Sequence, residues 1–246
     1  MSDTKRNLNT CLSPALLNLY DLSNSVVVII DVLRATSTIA TALYNGAASV
    51  IPVATVPRCI ELGEEVGGIT AGERDGKVAD GLTYGNSPFE YPRSFIENKI
   101  LVLTTTNGTK LLHMALDSGA PEIITGSFPN LSAVCDHLIS SGKDVLLGCS
   151  AWKDRVNLED TLFAGAVISR IKSHFDIHCD SSKIAEQLFL EAGEDRFAFM
   201  RDRDATHYHR LMRYGLEKDI RYCLTNDEAN VLPIFKGDRL FDLRRK

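Results

Sequence analysis

No apolar run in the 246-residue chain is longer than Val26 to Ile30. That is far short of the ~20 residues a helix needs to cross a bilayer, so insertion in a membrane is excluded. The polar stretch Met1 to Thr10 lacks the apolar centre of a secretory signal, and the cytoplasm is the expected location. The six cysteines (Cys11, Cys59, Cys135, Cys149, Cys179, Cys223) never form C-x-x-C. Neither a zinc cage nor a dithiol redox motif is therefore indicated, and reduced, mostly buried thiols are expected. Lys and Arg do not cluster, and 27 basic against 32 acidic residues leave a net charge of −5. Such a chain does not hold nucleic acid by neutralising phosphates, whereas a small anion needs only one local basic site. Linkers rich in Pro or Ser, low-complexity tracts and internal repeats are also missing, so residues 1–246 read as a single domain with one core or two small lobes. At 44% hydrophobic and 24% charged, it needs no disulfide or structural metal for stability, and a homo-oligomer is compatible with these figures.

What is present is an alternation of strand and helix patterns. Val26 to Ile30 is a β-branched run ending at Asp31, as in a strand buried on both faces, and Ser37 to Tyr44 reads as a helix stopped near Asn45-Gly46. Val50 to Val53, Ile100 to Thr104, Glu122 to Thr125 and Asp144 to Cys149 read as strands. Arg58 to Val66, Lys110 to Asp117, Leu131 to Ser140 and Leu158 to His174 read as helices between and after them. The spacing predicts an α/β layered fold with a largely parallel or mixed central sheet and flanking helices. Gly67 to Arg93 breaks the rhythm and is expected to be irregular and functional. Helices follow at Ser181 to Ala192 and Thr206 to Tyr214, and Val231 to Leu243 reads as two short strands about Lys236-Gly237-Asp238.

Ligands of open parallel sheets gather outside the carboxyl ends of the strands, so polar residues following each apolar run are the first candidates. Asp31 leaves a strand, and Arg34 sits among Thr36, Ser37 and Thr38 at a helix start, a group able to bind phosphate or carboxylate. The structural alternative makes a hydroxyl the helix cap and Arg34 a surface ion pair. Thr104 to Thr109 offers hydroxyls and, at Asn107-Gly108, backbone that turns successive N–H groups toward an anion. Glu73 and Arg74, with Asn86 and Ser87, supply both charge signs in the irregular segment. Glu159 and Asp160 open a helix, where the dipole alone favours acids; the functional alternative is a Mg²⁺ site.

Familiar phosphate signatures are absent. There is no G-x-x-x-x-G-K-[ST] loop, no G-x-G-x-x-G, and no second Asp two positions after Asp31. Cys149 and Arg155 have the C-x5-R spacing of thiol phosphatases, but the five residues between them contain no glycine to shape a cradle. His207 and His209 would share a face on a strand; on the expected helix they do not, and solvent-exposed histidines are expected. Glu191 to Arg203 reads as a solvated charged face.

Taken in order, VVIIDVLRATSTI (Val27 to Ile39), GERDG (Gly72 to Gly76), GNSP (Gly85 to Pro88), TTTNGT (Thr104 to Thr109), GSFPN (Gly126 to Asn130), LEDTLFAG (Leu158 to Gly165) and DIRYC (Asp219 to Cys223) resemble the 2-phosphosulfolactate phosphatase (ComB-like) family over most of the chain from Val26 onward. The resemblance implies a Mg²⁺-dependent acid phosphatase that releases phosphate from 2-phosphosulfolactate to give sulfolactate, a step of coenzyme M biosynthesis. The catalytic expectation rests on Asp31 and Arg34, and the metal expectation on Asp31, Glu73, Glu159 and Asp160. Arg74, Asn86, Ser87, Thr105, Thr106, Asn107 and Gly108 are expected to bind substrate, with Arg74 on its sulfonate or carboxylate. The expected partner is thus a small anionic phosphorylated hydroxy acid. Alternatives are another phosphorylated hydroxy acid as substrate, a phosphotransferase, or an inactive anion-binding protein.

Overall fold

A computed structural model describes residues 6–74, 76–105 and 108–245. The strands are β1 (Arg6–Cys11), β2 (Ser25–Ile30), β3 (Ser49–Val53), β4 (Ile69–Arg74), β5 (Lys77–Val78), β6 (Ile100–Thr104), β7 (Glu122–Gly126), β8 (Asp144–Cys149), β9 (Phe175–Asp176), β10 (Pro233–Lys236) and β11 (Arg239–Asp242). The helices are α1 (Ala35–Tyr44), α2 (Val56–Val66), α3 (Arg93–Ile96), α4 (Gly108–Asp117), α5 (Leu131–Ser140), α6 (Leu158–Ile171), α7 (Asp180–Ala192), α8 (Arg196–Asp202), α9 (Thr206–Met212) and α10 (Glu217–Cys223). No helix among the described residues is long and apolar enough to cross a membrane.

All six residues of β2 are buried, as the β-branched run requires, and alternate side chains serve opposite layers. Val26, Val28 and Ile30 join a core with Phe128, Leu162 and Phe163, while Val27 and Ile29 meet Leu111, Leu112 and Ala115 of α4. In the second half of the sheet Val50, Leu101 and Leu103 pack with Ile39 and Leu43 of α1, and Ile51 and Val102 pack with Cys59 of α2. Helix layers thus cover both faces, the arrangement expected of an α/β chain.

The eleven strands form one mixed sheet in the order β5-β4-β6-β3-β11-β10-β7-β2-β8-β1-β9. Two parallel sets, β7-β2-β8-β1-β9 and β3-β6-β4, are joined by the late hairpin β10–β11 rather than by a parallel strand. The hairpin runs antiparallel to β7 on one side and to β3 on the other, meeting each through one residue pair (Ile234 with Ile124, Leu240 with Val50). The two sets consequently run in opposite senses. Their carboxyl ends nevertheless converge on one cleft, because Asp31 and Trp152 (after β2 and β8) line it together with Glu73 and Thr105 (at the ends of β4 and β6).

Two segments differ from the sequence reading. Gly67 to Arg93 is not irregular throughout, since β4 pairs in parallel with β6 and turns back into β5. Its ITAGER sequence has little strand character, and the pairing is tertiary: a Cβ on Gly72 would lie 2.4 Å from the side chain of Thr104, so only glycine allows the approach. The polar RNLNTC segment forms β1 between β8 and β9, burying Leu8, Thr10 and Cys11.

Candidate functional site

The loop after β2 is built by its own hydroxyls. Asp31 N–H donates to Thr36 Oγ1 (3.2 Å), Thr36 N–H returns to Asp31 O (2.9 Å), and Ser37 Oγ donates to Val32 O (2.8 Å). Thr38 Oγ1 donates to Asn86 O at 3.0 Å, tying this loop to the GNSP segment. The hydroxyls beside Arg34 therefore serve main-chain atoms and shape the turn into α1, whose N-cap is Arg34 itself; the Leu33–Arg34 peptide is cis. Arg34 is no surface residue. It is buried, and its Nη1 donates to Asp219 Oδ2 at 2.6 Å, which gives the DIRYC segment of α10 its part in the site.

Asp31 is 9% exposed and accepts from Gly108 N–H at 3.1 Å, so the ends of β2 and β6 are joined across the cleft. Burial pushes its carboxyl up to about 6, with Glu73 and Glu159 adding to the rise and His207 opposing it. Asp160 brackets two strand-end loops: Oδ1 accepts from Val32 N–H (2.9 Å) and Oδ2 from Ala151 N–H (3.2 Å). Burial, with Glu159 and Asp31 close by, raises its carboxyl well above the usual range. Neighbouring Glu159 receives His207 Nδ1–H on Oε1 at 2.5 Å, whereas its Oε2 is buried with no hydrogen-bond partner among the described residues.

These elements border a cleft lined by Asp31, Arg34, Glu73, Asn86, Thr105 and Trp152 among others, with His207, Arg210 and Leu211 of α9 forming part of its wall. Glu73 Oε2 also accepts from Gly76 N–H at 2.7 Å, which shapes the turn after β4. Asn86 is 4% exposed, and its Oδ1 has no hydrogen-bond partner among the described residues.

Other expected site residues lie elsewhere. Arg74 does not border the cleft; its guanidinium donates to Glu73 O (2.7 Å), Thr104 Oγ1 (3.1 Å) and Ala54 O (3.5 Å), bonds that lock β4 to its neighbours. Ser87 caps the short turn Pro88–Glu90, accepting from Phe89 N–H. Gly108 N–H is committed to Asp31, and Thr106 and Asn107 lie outside the described residues.

The expectation of two exposed histidines fails for His207, which is 8% exposed and faces the cleft, while His209 meets Asp204 Oδ1 at 2.6 Å nearer the surface. The sequence held a signal for this. His207, Arg210 and Leu211 stand at i, i+3 and i+4, one face of a helix, and the apolar Leu211 marks that face as inward; His209 falls off it.

The Cys149 to Arg155 segment is no phosphate cradle. Trp152 and Arg155 exchange main-chain hydrogen bonds around Lys153 and Asp154, both at positive φ, in a tight turn held by Lys110 Nζ on Asp154 (2.7 Å). Cys149 is fully buried, and desolvation raises its thiol well above the ordinary value, the opposite of an activated thiolate. Cys149→Ser is expected to retain most phosphatase turnover in a folded protein; loss of all turnover with the fold intact would restore a cysteine mechanism.

Comparison with known proteins identifies the family of the chain. The family model for 2-phosphosulpholactate phosphatase matches residues 11–238. A protein of Thermotoga petrophila named probable 2-phosphosulfolactate phosphatase is 43% identical over 206 residues, 84% of this chain and 87% of its own length. Proteins of the same name from Caldanaerobacter subterraneus subsp. tengcongensis (37% over 225 residues, 90% of this chain and 92% of that one) and Clostridium perfringens (36% over 227 residues, 89% of each) are similar throughout. The chain, whose strand-end motifs fall within the matched region, belongs to the 2-phosphosulpholactate phosphatase family.

Proposed function

We propose that the protein is a Mg²⁺-dependent phosphomonoesterase that hydrolyses 2-phosphosulfolactate to sulfolactate and phosphate, the step the resemblance connects with coenzyme M biosynthesis. The observation that carries this reading is the meeting of Asp31, Glu73, Arg34 and His207 in one polar cleft. A pure anion binder gains nothing from carboxylates beside its ligand, because they repel it.

Mg²⁺ is usually held by one or two carboxylates, water and substrate phosphate rather than by a closed protein cage. Among the described residues no three of His, Cys, Asp or Glu enclose a common point, so an open site of this kind is the one the donors suit. Asp31 and Glu73 border the cleft, whereas Glu159, whose Oε2 has no hydrogen-bond partner among the described residues, does not line it. Asp31 and Glu73 would hold the ion; Asp160, with both oxygens on main-chain N–H groups, serves as a brace. When bound, Mg²⁺ supplies a Lewis acid that withdraws charge from the phosphoryl oxygens.

The chain's own groups supply the remaining steps. Asp219 holds the Arg34 guanidinium in place beforehand, so that it offsets charge developing on phosphoryl oxygens without reorganising. His207, its Nδ1 fixed by Glu159, carries a proton at Nε2 to the leaving alkoxide. Asp31 either attacks phosphorus or ligates the metal, two roles separated by the experiments of the Discussion. The substrate assignment is tested by phosphate release from 2-phosphosulfolactate beside other phosphorylated hydroxy acids such as 2-phospholactate and phosphoglycolate. The highest kcat/KM is expected for 2-phosphosulfolactate. Binding without turnover would indicate an anion-binding protein, and transfer to an added alcohol a phosphotransferase.

A further inference from the structure

The cleft holds two guanidinium groups in different electrostatic states. Arg34 is paired with Asp219 at 2.6 Å, which neutralises part of its charge and fixes its place. Arg210, half-buried on α9, has no carboxylate partner among the described residues; its guanidinium instead lies over the Trp152 ring, 4.4 Å from the centroid. Contact with an aromatic face holds a guanidinium without consuming its N–H donors, and no hydrogen bond joins Arg210 to an acceptor among the described residues. Lys153 Nζ lies 4.7 Å from the centroid of the same ring, adding a second positive charge beside Trp152. The same cleft carries the carboxylates Asp31 and Glu73. A ligand whose phosphoryl group meets the carboxylates and metal would thus share the cleft with a guanidinium that has no carboxylate partner among the described residues and is available to a second anion.

We infer that Arg210, stacked on Trp152, forms a second anion subsite that binds the sulfonate or carboxylate of the substrate and so selects phosphomonoesters bearing a further negative group. This rests on the phosphatase reading above and replaces Arg74, whose guanidinium is committed to main-chain oxygens and Thr104. A guanidinium suits the task because it is weakly hydrated, remains charged, and can meet a planar or tetrahedral oxyanion through two N–H groups.

The test compares wild type with Arg210→Met and Arg210→Lys on three esters: 2-phosphosulfolactate, 2-phospholactate, which lacks the sulfonate, and isopropyl phosphate, which lacks both further anions. For 2-phosphosulfolactate, Arg210→Met is expected to raise KM about ten- to a hundredfold with kcat changed far less, since a hydrogen bond between charged groups is lost. Arg210→Lys should recover part of the loss. Isopropyl phosphate should be handled equally by wild type and variants. If 2-phospholactate shares the penalty the subsite reads the carboxylate; if it does not, the sulfonate. An equal penalty on all three esters, or none on any, overturns the proposal. Calorimetric binding of sulfolactate to wild type and Arg210→Met, with a thermal melt to confirm folding, keeps the subsite testable even if no ester is hydrolysed. Tight binding lost in the variant supports the subsite while the phosphatase reading fails, and equal binding refutes it.

Discussion

Asp31→Asn is expected to lower kcat at least about a thousandfold while leaving the fold intact, because an amide neither holds a hard cation well nor attacks phosphorus. The substitution is nearly isosteric, and its carbonyl oxygen still accepts from Gly108 N–H, so the joint between β2 and β6 survives. Stability should move the other way. The Asp31 carboxyl rises from 3.8 to about 6 in the folded protein, chiefly through burial. The stability of its protonated form is therefore fully present below about pH 4 and is lost as pH rises through about 6. Thermal melts in chelator should accordingly show Asp31→Asn at least as stable as wild type near pH 7.5, with the difference closing near pH 4. Trapping a phosphoenzyme on Asp31 in wild type would assign it the attack on phosphorus. Substantial residual turnover with unchanged Mg²⁺ response would remove it from both roles.

The second large effect is expected at His207. Simple truncation would leave Glu159 buried and unpaired, a cost of about 3–5 kcal/mol that confuses catalysis with folding. His207→Gln can still donate to the Glu159 carboxylate, and it should lower kcat on 2-phosphosulfolactate roughly a hundredfold or more by removing the proton carried at Nε2. A phenolate leaves without protonation, so the loss should shrink markedly on p-nitrophenyl phosphate. An equal loss on both esters would make His207 a positioning residue.

The central strands were legible because local pattern and tertiary burial agree there. Ile100 to Thr104 and Asp144 to Cys149 match β6 and β8 in full, and the β-branched run of β2 is buried on both faces as its sequence demands. β4 and β1 were not legible, since their polar or glycine-containing sequences become strands only through pairing with β6 and β8. The position of the hairpin, wedged between two parallel sets, likewise depends on contacts more than a hundred residues apart, such as Ile234 with Ile124. Asp31 and Arg34 stood out as polar residues ending an apolar run. The pairing of Arg34 with Asp219 and of Glu159 with His207 could not, because nothing local links residues so distant in sequence. Arg74 misled for the same reason: a charged loop residue looks equally suited to a ligand or to main-chain oxygens until the fold supplies the acceptors.

The most direct measurement is the rate of phosphate release from 2-phosphosulfolactate by the purified protein, followed as isolated, after excess chelator, and after Mg²⁺ is restored. Carboxylates gathered at the ends of β2 and β4 in one cleft predict turnover that disappears with chelation and returns with Mg²⁺. Release at the same rate in excess chelator would contradict the metal-assisted mechanism, and no release under any of the three conditions would contradict the assigned reaction.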